Sequence, residues 1–300
     1  MPERRKEAFA MDLSEYRVTG DKGNPLKDRD PRDAAGLSKG RESDALLTEN
    51  IARLARRQDI LYAHNRYGVL VVLQAMDAAG KDGVIKHVMS GLNPQGVQVK
   101  SFKAPTADEV DHDYLWRAQA HLPARGNIAI FNRSYYEDVV VVRLHNLLAA
   151  QNMPDELSDG PVWEDRHRQI RDYERYLTEN GIVVVKIFLH LSEEEQRQRL
   201  LKRIEDPAKH WKFSAGDIEE RKHWDRYQKI YADTIRSTAT EYAPWYIVPA
   251  DRKWFARLMV SEILADTLER LPIAYPETDD RQEAVLEDCR RILEQQGEGV

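Results

Sequence analysis

Apolar positions along the chain recur in two patterns that alternate. Continuous runs rich in β-branched residues occur at Val69–Leu73, Val97–Phe102, Asn127–Phe131, Ile182–Leu189 and Trp245–Pro249. Each has strand length, and all but Val97–Phe102 show no polar alternation, as expected of strands covered on both faces. Between them the spacing turns helical. Leu47, Ile51, Leu54 and Ile60 mark a helix over Leu46–Leu61, and others are predicted at Asp82–Leu92, through Leu148, at Val162–Leu177 and at Ile218–Thr238. Thr106-Ala-Asp-Glu109 reads as a capping box opening a helix that carries Val110, Tyr114, Leu115 and Ala118. Ser192 to Glu195 caps the next predicted helix, with Leu200, Leu201 and Ile204 on one side. Buried strands alternating with helices predict the α/β class with a parallel sheet.

The ends of the chain lack this alternation. Residues 1–45 read as an extended arm: its first 44 residues hold ten basic and ten acidic residues and few large aliphatics. The body is expected over 46–271, and a helical tail over 272–300 with Val285, Ile292 and Leu293 in an amphipathic pattern.

No apolar run is long enough to span a bilayer, and the first twelve residues lack the apolar core of a signal peptide. The single cysteine, Cys289, excludes an internal disulfide framework. Together these predict a cytoplasmic protein with no membrane partner. The net charge of −6 argues against general nucleic-acid binding. Arg197, Arg199, Lys202, Arg203, Lys209 and Lys212 nevertheless crowd one segment, which suggests a local anionic ligand or a solvated helix face.

Candidate chemistry begins where the first predicted strand runs into "AMDAAGKDG" (Ala75–Gly83). A Walker A loop would have glycine where Ala75 stands and Ser or Thr where Asp82 stands. A phosphate loop works because backbone N–H groups and a helix N-terminus converge on an anion. Ala78, Ala79, Gly80, Lys81, Asp82 and Gly83 are therefore candidate phosphate-binding positions, with Lys81 as the point charge. Asp77 and Asp82 would repel a bound phosphate unless a cation intervened, and magnesium takes one or two carboxylates plus substrate oxygens. Their alternatives are a turn residue and a helix N-terminal acid.

"IFNRSYYEDV" (Ile130–Val139) follows the third predicted strand, at the strand-end position where open α/β sheets bind ligands. Arg133 can fork onto phosphate oxygens or form a surface ion pair. Ser134 and Glu137 have capping-box spacing, which is compatible with Glu137 also serving the site. "KRIEDPAKHWKFSAGD" (Lys202–Asp217) places cations where a lid would close, over about 202–222. Trp211 there could anchor a hinge or offer a stacking surface.

Taken together, "AMDAAGKDG", "FNRSYYED" and "RIEDPAKHWK" resemble the three motifs of the polyphosphate kinase 2 family. In that family an aspartate after the lysine is the ordinary spelling, so Asp82 is not decay. Ala75 departs from the usual glycine, and Asn132 stands where many members have aspartate. The "NRSYYED" spelling is similar to the class that accepts both AMP and ADP, in which an acid at the Glu137 position accompanies use of AMP.

The resemblance implies a P-loop kinase-like three-layer sandwich with a five-stranded parallel sheet and a helical lid. It also implies reversible phosphoryl transfer between inorganic polyphosphate and adenine nucleotides, with guanine nucleotides as alternatives. Magnesium would be the cofactor, with manganese as a substitute, and the assembly a homodimer or homotetramer. Asp77, Lys81, Arg133, Glu137 and Arg203 would be catalytic, and Asp77 and Asp82 would hold the metal. Lys209 and Lys212 would descend from the lid, while Lys86, Lys103, Arg117 and His121 would either line a channel for the polymer or be plain surface residues. Two alternatives stay open: an ATP-dependent nucleoside monophosphate kinase on the same fold, and a non-catalytic polyphosphate-binding protein.

Overall fold

The computed structural model describes residues 11–20 and 23–297. A six-stranded sheet has the order β1-β6-β5-β2-β4-β3. The strands are β1 (Arg17–Val18), β2 (Gly68–Ala75), β3 (Val97–Ser101), β4 (Ile128–Asn132), β5 (Ile182–His190) and β6 (Trp245–Pro249). β2 to β6 run parallel, and β1 pairs antiparallel with β6 through Arg17–Tyr246 and Val18–Trp245. The expected five strands thus become six. The added edge strand comes from the N-terminal arm and is too short to leave a pattern in the sequence.

Alternate residues of the central strand β2 serve two cores. Val69, Val71 and Leu73 face one, with Leu54 and Leu61 of α1 (Arg41–His64), Val84 and Val88 of α2 (Lys81–Val88), and Phe255 and Met259 of the eleventh helix. Leu70 and Val72 face the other, which contains Val139 and Val140, Ile170 and Leu177, and Tyr227, Tyr231 and Ile235. The period of two along a strand sets this division.

Two predicted helices are interrupted. The Thr106–Glu109 capping box forms, but α3 (Ala107–Val110) ends there, and α4 (Trp116–Gln119) starts anew after the turn at Asp111–Asp113. After β4 come α5 (Glu137–His145), α6 (Asp155–Ser158) and α7 (Val162–Glu179), and after β5 comes α8 (Glu193–Glu205). The long helix expected over Ile218–Thr238 is divided into α9 (Ala215–Arg221) and α10 (Trp224–Thr238). In α8 the buried positions are Gln196, Arg199 and Leu200, while Leu201 and Ile204 are exposed. Two of the three covered positions of α8 are therefore polar, because Gln196 and Arg199 pack on the loop after β2. Two helices close the chain, α11 (Lys253–Glu269) and α12 (Asp280–Gly297). No helix among the described residues is long and apolar enough to cross a membrane.

Candidate active site

The loop between β2 and α2 is held in a left-handed conformation at two points, Ala78 (φ 63°) and Gly80 (φ 107°). Glycine suits the second because no Cβ opposes that backbone. The turn swings the start of α2 over the end of β2. Lys81 Nζ donates back to the carbonyls of Ala75 (2.9 Å) and Met76 (3.3 Å), which lays its ammonium over the loop. Burial and then the Arg133 charge pull the Lys81 pKa below its ordinary value, against Asp77, Glu137 and Asp82. A bound phosphate would reverse that imbalance, so the site favours an anion at this lysine.

Arg133 follows β4, itself at φ 63°, with its N–H on the Leu73 carbonyl. Its guanidinium bridges Asp77 Oδ1 (2.6 Å) and Glu137 Oε2 (3.1 Å). Burial opposes its charge, but Glu137 and Asp77 more than offset this and raise its pKa. The expected Ser134–Glu137 capping box is absent. Ser134 Oγ takes the Gln74 amide and the Tyr136 N–H, while Glu137 is engaged by Arg133. Tyr135 and Tyr136 anchor this turn by donating to the buried Glu174 carboxylate (3.0 and 2.8 Å), which pairs with Lys186 of β5. Asn132 donates to Asp82 Oδ1 at 2.8 Å and so ties the strand end to α2.

The lid segment faces the same space. It comprises the end of α8, a 3-10 helix at Pro207–Lys212, and α9. Arg203 pairs with Asp217 at 2.9 Å and Lys209 with Asp206 at 2.5 Å. Trp211 is 78% exposed, with the Lys212 ammonium over its ring. Burial, and then Asp77, raise the pKa of Asp217, and Arg203, Lys209 and Lys212 of this segment line the same cleft as the loop at Asp77–Gly83.

Loop, strand ends and lid enclose a cleft of about 690 Å³. Ten cationic side chains line it: Lys81, Lys103, Arg133, Arg199, Lys202, Arg203, Lys209, Lys212, Lys253 and Arg257. Only Asp77 and Asp82 are acidic there. A chain with net charge −6 thus concentrates positive charge in one concave place.

Most of the expected site residues meet here, and some do not. Glu137 lies behind Arg133 and supports it from outside the lining. Lys86 is exposed on α2, away from the cleft wall. Arg117 is buried, donates to the Lys103 carbonyl, and sits between Glu109 (3.7 Å) and Asp138 (3.6 Å) on the wall of a second, smaller cavity. His121 packs edge-on against Phe102, outside the lining.

Three cleft residues escaped the sequence reading in any specific role. Arg199, almost fully buried, donates to the carbonyls of Ala78 (3.1 Å) and Ala79 (2.7 Å) and to those of Ala250 (2.6 Å) and Asp251 (2.9 Å). It pins the phosphate loop to the turn between β6 and α11. Lys253 and Arg257 enter from α11, where nothing but an i, i+4 spacing could have singled them out.

Among the described residues no group of three or more His, Cys, Asp or Glu could hold a metal ion alone. The cleft instead supplies two carboxylates beside a phosphate loop. That donor set fits magnesium, which takes few protein ligands and completes its shell with phosphate oxygens and water.

Comparison with known proteins agrees with this geometry. A profile described as "Polyphosphate kinase 2 (PPK2)" matches residues 37–274. The AMP/ADP-polyphosphate phosphotransferase of Meiothermus ruber is 47% identical over 91% of this chain and 99% of its own. The ADP-polyphosphate phosphotransferase of Rhodopseudomonas palustris is 51% identical over 83% of this chain and 86% of its own. The crystal structure of polyphosphate kinase 2 from Arthrobacter aurescens superimposes with a TM-score of 0.84 at 39% identity, covering 93% of this chain and 98% of that one. With the phosphate loop, the Arg133 turn and the basic lid all inside the matched span, this chain belongs to the polyphosphate kinase 2 family.

Proposed function

We propose that the protein transfers the terminal phosphoryl group of inorganic polyphosphate to AMP or ADP in the cleft around Gly80 and Lys81. The observation that carries this reading is the wall of ten cations from loop, strand ends, lid and α11. Ten cations outnumber the charges on one nucleotide's phosphates, which suits a polyanionic donor. The fold would serve as a P-loop kinase-like sandwich, with five parallel strands and the lid placing these charges. The relatives named for AMP/ADP- and ADP-polyphosphate transfer support the choice of acceptors. Acceptance of guanine nucleotides and assembly into a homodimer or homotetramer are part of the same proposal.

An anionic phosphate oxygen of the acceptor attacks the terminal phosphorus of the donor. A P–O bond forms as the bond to the penultimate phosphate breaks, and the shortened polyphosphate leaves with the bonding electron pair. The attacking oxygen already carries charge, so the site needs no strong general base. Lys81 neutralises the transferring group, and Arg133 spreads its fork across the equatorial oxygens, where charge accumulates. Asp77 and Glu137 hold that fork in place. Lys209, Lys212 and Arg203 close from the lid and exclude water. Asp77 and Asp82 would hold magnesium, which supplies additional charge neutralisation between phosphates when bound. Both the broken and the formed bond are phosphoanhydrides, so transfer is expected in either direction.

The test is a coupled assay with polyphosphate and magnesium, offering AMP and ADP separately. Formation of ADP from the first and ATP from the second supports the reading. Product from ADP alone removes AMP from it. Turnover only with ATP as donor to nucleoside monophosphates would replace it.

A further inference from the structure

Helix α12 lies beyond the family match, which ends at residue 274. Every described side chain from Asp280 to Gln296 is exposed, including Val285, Leu286, Ile292 and Leu293 at 55–66%. Most helical stability in proteins comes from packing an amphipathic face, and this 18-residue helix leaves its apolar face uncovered. With about 100° between successive residues, these four aliphatics flank Cys289 evenly, within roughly 60° on either side. The stripe is thus centred on Cys289.

The edges of this stripe carry opposite charge patterns. About 80–120° to one side stand Arg281 and Asp288; to the other stand Glu283 and Arg290. In a parallel pair of identical helices, one edge of the first meets the other edge of the second. Arg281 then faces the partner's Glu283, and Asp288 faces the partner's Arg290. An antiparallel pair centred on the stripe would instead set Asp288 against the partner's Asp288 and Arg290 against the partner's Arg290. The intrahelical pairs Arg290–Glu287 (3.3 Å) and Arg291–Asp288 (3.2 Å) are exposed and yield easily.

We propose that α12 is an association helix that pairs in parallel with α12 of a second copy of this chain, through the stripe centred on Cys289. Charge complementarity selects both the occupant and its direction. The Cys289 thiols of the two copies lie at the same height in such a pair, which makes them a reporter of it.

The test uses the full chain, a mild thiol oxidant, and non-reducing electrophoresis with mass spectrometry of the linked peptide. Wild type is expected to form a Cys289–Cys289 dimer. Asp288→Arg should slow its formation by roughly ten-fold or more, because like charges then face each other. The doubly reversed D288R/R290D chain should recover the wild-type rate. Equal rates in all three chains would overturn the proposal, as would failure of the double reversal to restore linkage. Absence of linked dimer while Cys289 still reacts with a maleimide would overturn it as well.

Discussion

Replacing Arg199 with methionine tests how the phosphate loop is held. Methionine keeps an unbranched apolar stem of similar length and removes every donor. Four carbonyls lose a partner, those of Ala78, Ala79, Ala250 and Asp251. The bonds to Ala79 and Ala250 are the buried ones, and a buried acceptor left unpaired costs about 1–3 kcal/mol. Water can reach the other two, so the total should be on the order of 2–6 kcal/mol. Urea unfolding should show a lower midpoint at an unchanged slope. Turnover should fall further than stability alone explains, because a loop released by about 1 Å can lose roughly 100-fold in rate. Arg199→Lys retains the charge but not the fork, and should fall between. A midpoint and turnover within twofold of wild type would refute the reasoning. Lost stability with full turnover would refute the link between this clamp and the site.

Other consequences follow from the same geometry. Lys81→Ala should lower turnover by roughly 100- to 1000-fold, the scale for losing one electrostatic donor, while circular dichroism and melting stay close to wild type. Gly80→Ala meets no close neighbour, since its Cβ would lie 3.7 Å from the Arg199 guanidinium, but it imposes φ +107° on an L side chain. It should therefore cost about 1 kcal/mol or more and reduce activity disproportionately. Burial pushes the His167 imidazole from 6.5 down to about 4. Between those values protons bind preferentially to the unfolded chain, so His167 draws stability down as pH falls from 6.5 to 4, by about 3 kcal/mol in all. Asp138, pushed up to about 6 by burial, acts in the opposite sense between pH 6 and 3.8. The comparison of His167→Gln with wild type isolates the histidine: the variant should lose less stability on acidification, and parallel pH curves would contradict this.

Four of the six strands were legible because a buried parallel strand has little choice but continuous β-branched apolar residues, while β3, largely exposed at the sheet edge, was marked only by Val97, Val99 and the Phe102 that follows it. "WYIVP" needed no correction at either end. β1 was not legible: two residues, Arg17 and Val18, carry no periodicity, and only the free edge of β6 defines them as a strand. Capping signals were read well where the hydroxyl stayed free to accept the cap N–H, as at Thr106 and at Ser192, which accepts from Glu195 while donating to Asp251. At Ser134 and Glu137 the spacing misled, because Gln74, remote in sequence, takes the serine hydroxyl and Arg133, four residues before Glu137, takes its carboxylate. The phosphate loop, Arg133 and the lid were visible as local motifs. Arg199, Lys253 and Arg257 were not, because their role arises only when α8 and α11 converge on the loop. Arg117 looked like a channel cation because sequence records its charge and not its burial between two carboxylates.

The central claim is that the cleft around Lys81 moves phosphoryl groups from polyphosphate to a nucleotide. Phosphorus NMR of the purified protein with polyphosphate, magnesium and ADP tests it most directly. The account predicts one ATP for each phosphate lost from the polymer, with Lys81→Ala nearly silent under the same conditions. ATP appearing without shortening of the polymer, or wild-type conversion by Lys81→Ala, would contradict it.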